Sequence, residues 1–164
     1  MPHIHVVATG GTIDKIYSRA GELEIGEPSV DALLAPVLTD LTYDVSPVLA
    51  VDSLDMTDAD RVVLCQAIDA LPGRHVVVTH GTDTMPETAA FLDAHLAAAD
   101  QTVVLTGAMQ PAAMGRSDAA FNLGAAMTAV QLLPAGVHIV MSGRVFPAGK
   151  VAKDRGRGVF VDAP

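Results

Sequence analysis

Three short stretches pair a hydroxyl with glycine: Thr9-Gly10-Gly11-Thr12, Thr79-His80-Gly81-Thr82-Asp83-Thr84 and Thr106-Gly107-Ala108-Met109. Glycine lets backbone N–H groups approach a ligand closely, while the hydroxyl supplies a nucleophile or a hydrogen bond. Taken singly, each is ordinary turn chemistry. Three of them at the ends of strands in one sheet point to a ligand site, because open α/β sheets bind beyond the carboxyl ends of their strands. A phosphate site is the sharper competitor. However, the Gly-x-x-x-x-Gly-Lys-Ser/Thr pattern is absent, and Gly10-Gly11 lacks the third glycine of a dinucleotide fingerprint, so no cofactor is expected. His3 and His5 alternate on one face of the first strand. Without a third ligand at a plausible spacing they read as simple strand residues, and no metal is expected. His80 reads as a turn-structuring residue, Cys65 as a small buried hydrophobe, and Arg116 with Asp118 as caps of the following helix.

The elements that must position these turns alternate between β-branched runs and helical patterns, the mark of an α/β domain. Strands are predicted at His3–Ala8, Thr42–Val51, His75–Thr79, Thr102–Thr106 and Val137–Met141, and helices at Val30–Val37, Asp58–Leu71, Met85–Ala98 and Asp118–Leu133. Thr57 with Asp60 reads as an N-cap and a first-turn acid, and Thr84-Met85-Pro86-Glu87 as a fuller capping box. In the second helix Ala59, Val63, Ala67 and Leu71 share a face opposite Asp60, Arg61 and Asp69. Ile13–Gly26 is polar and glycine-punctuated, with a turn at Arg19-Ala20-Gly21, and is predicted to project as a flap. Beyond Met141 the pattern weakens into short pieces near Val145, Lys150 and Val159. No linker or repeat divides residues 1–164, which read as one domain.

Composition narrows the function classes. A net charge of −9 with ten scattered Lys and Arg argues against nucleic acid as a partner. A single cysteine implies a reducing, cytoplasmic setting, and Met1–Val7 does not read as a signal peptide. The apolar stretch Ala119–Met141 is interrupted by Asn122, Gln131, His138 and Pro134-Ala135-Gly136, so a membrane span is not expected.

Two blocks carry a family resemblance. Ala8-Thr9-Gly10-Gly11-Thr12-Ile13 and Val78-Thr79-His80-Gly81-Thr82-Asp83-Thr84-Met85, continuing through Glu87-Thr88-Ala89, resemble the signature blocks of the bacterial-type L-asparaginases. Asp52-Ser53-Leu54-Asp55-Met56 is similar to that family's substrate-carboxylate loop, Thr106–Met109 to its fourth-strand turn, and Val140–Asp154 to the segment with its catalytic lysine. The resemblance implies an open, mainly parallel sheet flanked by helices on both faces, flavodoxin-like, as in the family's N-terminal domain. It implies hydrolysis of L-asparagine through a threonyl acyl-enzyme. Thr12 would be the nucleophile, and Tyr17, in the flap, its proton acceptor. Thr82, Lys153 and Asp83 would form a second group, with Lys153 acting as base or as electrostatic stabiliser. Ser53, Asp55, Gly11 and Gly81, with Thr82 and Asp83, would hold the substrate.

Common members carry a second domain of similar length, whose acid reaches the substrate ammonium of a neighbouring subunit. No position here inherits that acid, and Leu54 stands where many relatives have an amide. A homo-oligomer, a dimer or higher, is expected, with the helix at Asp118–Leu133 as its contact surface. The alternatives are a non-catalytic amino-acid-binding module and an amidotransferase subunit.

Overall fold

A computed structural model describes residues 2–163. Strand β1 (His3–Gly10) is buried almost throughout and becomes an inner strand of a six-stranded sheet. Its neighbours are β4 (Thr42–Val51) at one edge and β5 (His75–Thr79) on the other side, followed by β6 (Thr102–Thr106), β7 (Gly136–Met141) and β8 (Arg144–Pro147). All pairings are parallel except β7 with β8. The parallel strands run in the order second, first, third, fourth, fifth, which is the flavodoxin-like order with its switch point between β1 and β5. Every described side chain of β6 is buried, and four of the five in β5. Such runs arise because helices cover both faces of a parallel sheet.

Helices α2 (Asp58–Asp69) and α3 (Met85–His95) cover one face, where Leu64, Ile68, Met85 and Leu92 pack on Val7, Val76, Val78 and Leu105. Helices α1 (Val30–Leu34) and α4 (Ala119–Leu132) cover the other, through Val30, Leu123, Ala126 and Val130 on Ile4, Val6, Val77 and Val104. Two small antiparallel pairs complete the chain: β2 (Lys15–Tyr17) with β3 (Leu23–Ile25), and β9 (Val151–Asp154) with β10 (Val159–Asp162).

All five predicted strands and four predicted helices are present, with differences that have physical causes. Helix α1 stops at Leu34, three residues early: Ala35 keeps helical angles, but Pro36 has no N–H to continue the hydrogen-bond ladder. The predicted face of α2 is rotated. Leu64, Cys65 and Ile68 are buried together with Arg61, whereas Ala59 and Val63 face outward. Arg61 is buried because its Nε donates to Thr88 Oγ1 at 2.9 Å and its Nη1 to Asp58 at 2.9 Å. At Thr57 a complete capping box forms, with both the Asp60 backbone and its carboxylate engaged. Thr84 makes no capping box: its hydroxyl donates to Ser53 O at 2.7 Å instead. The weak pattern after Met141 resolves into β8, β9 and β10, held by buried Phe146, Val151 and Phe160.

Candidate active site

Glycines set the geometry at the carboxyl end of the sheet. Gly10 and Gly11 both have positive φ, 93° and 80°. A Cβ on Gly11 would lie 2.4 Å from Gly81 N and Cα, and one on Gly81 would lie 2.5 Å from Ser53 Cβ. Gly11 N donates to Val51 O at 2.9 Å. The ends of β1, β4 and β5 therefore meet backbone to backbone at the switch point. Their following residues, Thr12, Ser53 and Thr82, share one rim.

Thr12 opens a short 3-10 turn, Thr12–Asp14, anchored by fully buried Ile13 and by Asp14. The Asp14 carboxylate accepts Ser29 N at 2.8 Å. Burial pushes its carboxyl above the usual range, against the opposing pull of that hydrogen bond. The Thr12 side chain itself is half-buried, and its hydroxyl has no hydrogen-bond partner among the described residues. From this anchored base the β2–β3 hairpin projects as the expected flap, turning at Ser18–Glu22 with Gly21 at φ 85°. Tyr17 lies on the flap, 69% exposed, and makes no hydrogen bond to Thr12. Lys15 ties the flap base to the β4 loop through Asp52 at 2.7 Å, and the Lys15 hydrogen bond holds the Asp52 carboxyl below its ordinary range.

The opposite side of the rim is fully bonded. Lys153 comes from β9, on a hairpin seated by Val151 and Phe160 in the core. Its ammonium donates to Thr82 Oγ1 at 2.8 Å and to Asp83 Oδ1 at 2.8 Å, with the side chain only 9% exposed. Because the ammonium can only donate, the Thr82 hydroxyl must direct its own proton elsewhere, toward whatever occupies the rim. Asp83 N donates to Ser53 Oγ at 3.2 Å, and Ser53 is buried. Asp55 is exposed, beside Lys15, Asp52 and the flap strand β3, and is not hydrogen-bonded to this group.

Beneath the rim, buried His80 donates from Nδ1 to Gly81 O at 2.6 Å, and its Nε2 lies 3.1 Å from Met56 Sδ. Desolvation lowers its pKa to about 4, so the ring is neutral near pH 7. His80 thus structures the turn, as expected. Thr9 and Thr106 also serve the scaffold: their hydroxyls donate to Thr79 O and Val140 O, both at 2.8 Å. Thr12 and Thr82, which follow the glycines, stand on the rim with Ser53.

Comparison with known proteins places this geometry. Residues 3–159 match the family model described as "Asparaginase, N-terminal". The chain belongs to the asparaginase family. It is 36% identical over 163 residues to L-asparaginase 2 of Escherichia coli, covering 93% of this chain and 47% of that one. It is 34% identical over 163 residues to a probable periplasmic L-asparaginase of Haemophilus influenzae, covering 93% and 46%. The crystal structure of L-asparaginase I from Vibrio cholerae superposes with a TM-score of 0.88 at 26% identity, covering 98% of this chain and 51% of that one. The chain thus spans about half the length of the relatives it matches.

Of the asparaginase residues expected from sequence, Thr82, Asp83 and Lys153 are joined directly, and Gly11, Gly81 and Ser53 are in close contact behind them. Thr12 stands on the same rim, while Tyr17 and Asp55 are bonded to neither threonine.

Two supports were not legible from sequence. The Asp118 carboxylate makes no cap bond to its own helix. It accepts from Met109 N and Gln110 N, both at 3.0 Å, and so holds the turn after β6. Asn122 Nδ2 donates to Gly107 O at 3.0 Å, while its Oδ1 accepts Ser142 N at 3.1 Å. The available signal was Asp118 and Asn122 four apart at the start of an otherwise apolar helix. Buried Arg61, joined to Thr88 Oγ1, gave none.

Proposed function

We propose that this asparaginase-family chain hydrolyses L-asparagine to L-aspartate and ammonia through an acyl-enzyme on Thr12, within one catalytic domain over residues 1–164. The observation that carries the reading is Lys153, held between Thr82 Oγ1 and Asp83 Oδ1, together with a partly buried Thr12 hydroxyl that has no hydrogen-bond partner among the described residues and follows Gly11, packed on Gly81. An amide carbonyl is a weak electrophile, so catalysis needs a positioned nucleophile and a fixed charge where the oxyanion develops.

Thr12 Oγ1 attacks the side-chain carbonyl, its proton passing to Tyr17 once the flap closes over the substrate. Tyr17 relays that proton to the amide nitrogen, which leaves as ammonia as the C–N bond breaks, and water then cleaves the threonyl ester, returning a proton to Thr12 Oγ1 and releasing aspartate. Lys153 offers a buried cation to the Thr82 hydroxyl, which lowers the cost of negative charge on that oxygen or on an oxyanion it faces. In that role Lys153 stabilises charge; as a base it would first have to lose its own proton to the surroundings. Ser53 and the N–H group at Gly81 face the α-carboxylate, with Gly11 allowing the close backbone approach, and Asp83 faces the ammonium.

The protein is proposed to act in the cytoplasm, which its single cysteine favours. No described helix is long and apolar enough to cross a membrane. It is also proposed to act as a homo-oligomer, a dimer or higher. Outward-facing Phe121 and Leu132 on α4, 63% and 79% exposed, with Val145 beside them, form an apolar surface of the kind that two-fold association covers.

The deciding experiment is ammonia release by the purified protein from L-asparagine. Turnover by the chain alone supports the hydrolase. Binding of asparagine without ammonia release would identify an amino-acid-binding module, and activity only with a second protein an amidotransferase subunit.

A further inference from the structure

The far end of the same sheet holds a second constellation, unrelated to the amide chemistry. His3 and His5 lie on one face of β1, and parallel pairing sets Asp44 of edge strand β4 directly beside His5. His3 Nε2 is 2.6 Å and His5 Nδ1 2.7 Å from the same oxygen, Asp44 Oδ1. The two rings are 4.8 Å apart at 71°, so their nitrogens converge instead of stacking. One ligand atom from each of the three residues falls within 4.8 Å of the others. We propose that His3, His5 and Asp44 form a binding site for one divalent transition ion of the zinc class, pinning β4 to β1.

The donor set selects this class of ion. Two imidazole nitrogens and one carboxylate oxygen suit zinc, cobalt or nickel, whereas calcium and magnesium prefer all-oxygen shells. Zinc bonds of about 2.0–2.1 Å in tetrahedral geometry set ligands roughly 3.3 Å apart, so the carboxylate has to retreat by about 0.7 Å while the two ring nitrogens, now within 4.8 Å of one another, close by up to about 1.5 Å. Asp44 is 45% exposed and free to make that shift, and solvent can supply the fourth ligand.

Both imidazoles are held from behind. His3 Nδ1 is 3.0 Å from Thr42 Oγ1, the outer contact that fixes a ligating ring. His5 is nearly buried, and its Nε2 lies where a Cβ on Gly73 would come within 2.6 Å, so the glycine makes room for the ring. An ionised Asp44 only accepts, so without metal the nitrogens facing it carry protons. On binding, the His3 proton moves to Nδ1 and meets Thr42 Oγ1, while the His5 proton moves to Nε2. Both lone pairs are then free for the ion.

The site is remote from Thr12. His3 and Gly10 are the two ends of β1, roughly 23 Å apart at about 3.3 Å per residue. Its effect should therefore appear as stability, independent of turnover.

Untagged, chelator-treated protein is titrated with zinc chloride by calorimetry, and its Tm is followed alongside. One equivalent should bind. At free zinc about 100-fold above Kd, Tm should rise by roughly 5–10 °C. Asp44→Asn and surface-exposed His3→Gln should each abolish both signals while keeping the metal-free Tm near wild type. Thr42→Val should weaken binding by about 10-fold through loss of the outer contact. A Thr12→Val protein should bind zinc like wild type. Absence of heat and of a Tm rise in the wild type would overturn the site. So would unchanged binding in either His3→Gln or Asp44→Asn, and exposed His3 keeps the test open even if Asp44→Asn does not fold.

Discussion

Thr12 and Thr82 follow glycines at the ends of neighbouring strands, yet their surroundings differ sharply. Thr82 is buried and bonded to Lys153, which is in turn bonded to Asp83. Thr12 is half-buried and unbonded, next to a flap whose Tyr17 is mostly in solvent. The difference follows from where the partners come from. Lys153 arrives on a hairpin seated in the core by Val151 and Phe160, whereas Tyr17 rides on two three-residue strands that bury little. One half of the rim is organised before substrate arrives. In the proposed reaction the other half is completed by flap closure, where charge develops only once substrate is bound.

Exchanging the unbonded hydroxyl is the most severe way to break this contrast. Thr12→Val should fold normally and lose at least about 10³-fold in kcat. If a correctly folded Thr12→Val stays active, the two halves have exchanged roles and Thr82 is the nucleophile. On the organised side, Lys153→Met should lower kcat by about 10²–10³-fold and leave KM largely unchanged, as expected when fixed charge at an oxyanion is removed. A rise confined to KM in steady-state assays would instead make Lys153 a ground-state binding residue.

Substrate length tests how closely the halves are spaced. With both α-groups clamped on the organised side, glutamine's extra methylene moves its carbonyl off Thr12. A preference for asparagine of roughly 10–200-fold in kcat/KM should result. Equal values for the two amides would mean the Thr12 side adjusts freely.

The mildest perturbation is acid. His80 supports Gly81 with a neutral ring whose pKa is about 4, below the 6.5 of an unfolded chain. Between those values the unfolded state takes up a proton that the native state refuses. His80-linked stability is therefore complete above pH 6.5 and declines as pH falls toward 4, by on the order of 3 kcal/mol. Urea unfolding at pH 7.5 and pH 5 should reveal this slope, and His80→Gln should flatten it. An unchanged slope in that variant would mean that other groups carry the acid sensitivity.

Local pattern determined much of this protein. The β-branched runs specified the parallel strands, most clearly the inner β5 and β6, where burial on both faces favours apolar residues. The glycines of Gly10-Gly11 and Gly81 marked the strand ends, since only they allow the contacts that bring the backbones together. The flap, too, was visible as a polar stretch around Gly21. Tertiary structure alone decided what depends on partners distant in sequence. Arg61 is buried because Thr88, on another helix, accepts its hydrogen bond; helical periodicity had turned it outward. Thr84 was free to cap α3 locally, and Ser53 O outcompeted that cap. Asp118 holds the turn after β6, nine residues back in the chain, and His3 and His5 meet their third partner only because register sets β4 beside β1. In each case a buried or converging polar group takes the partner that satisfies it, and strand order and register choose that partner.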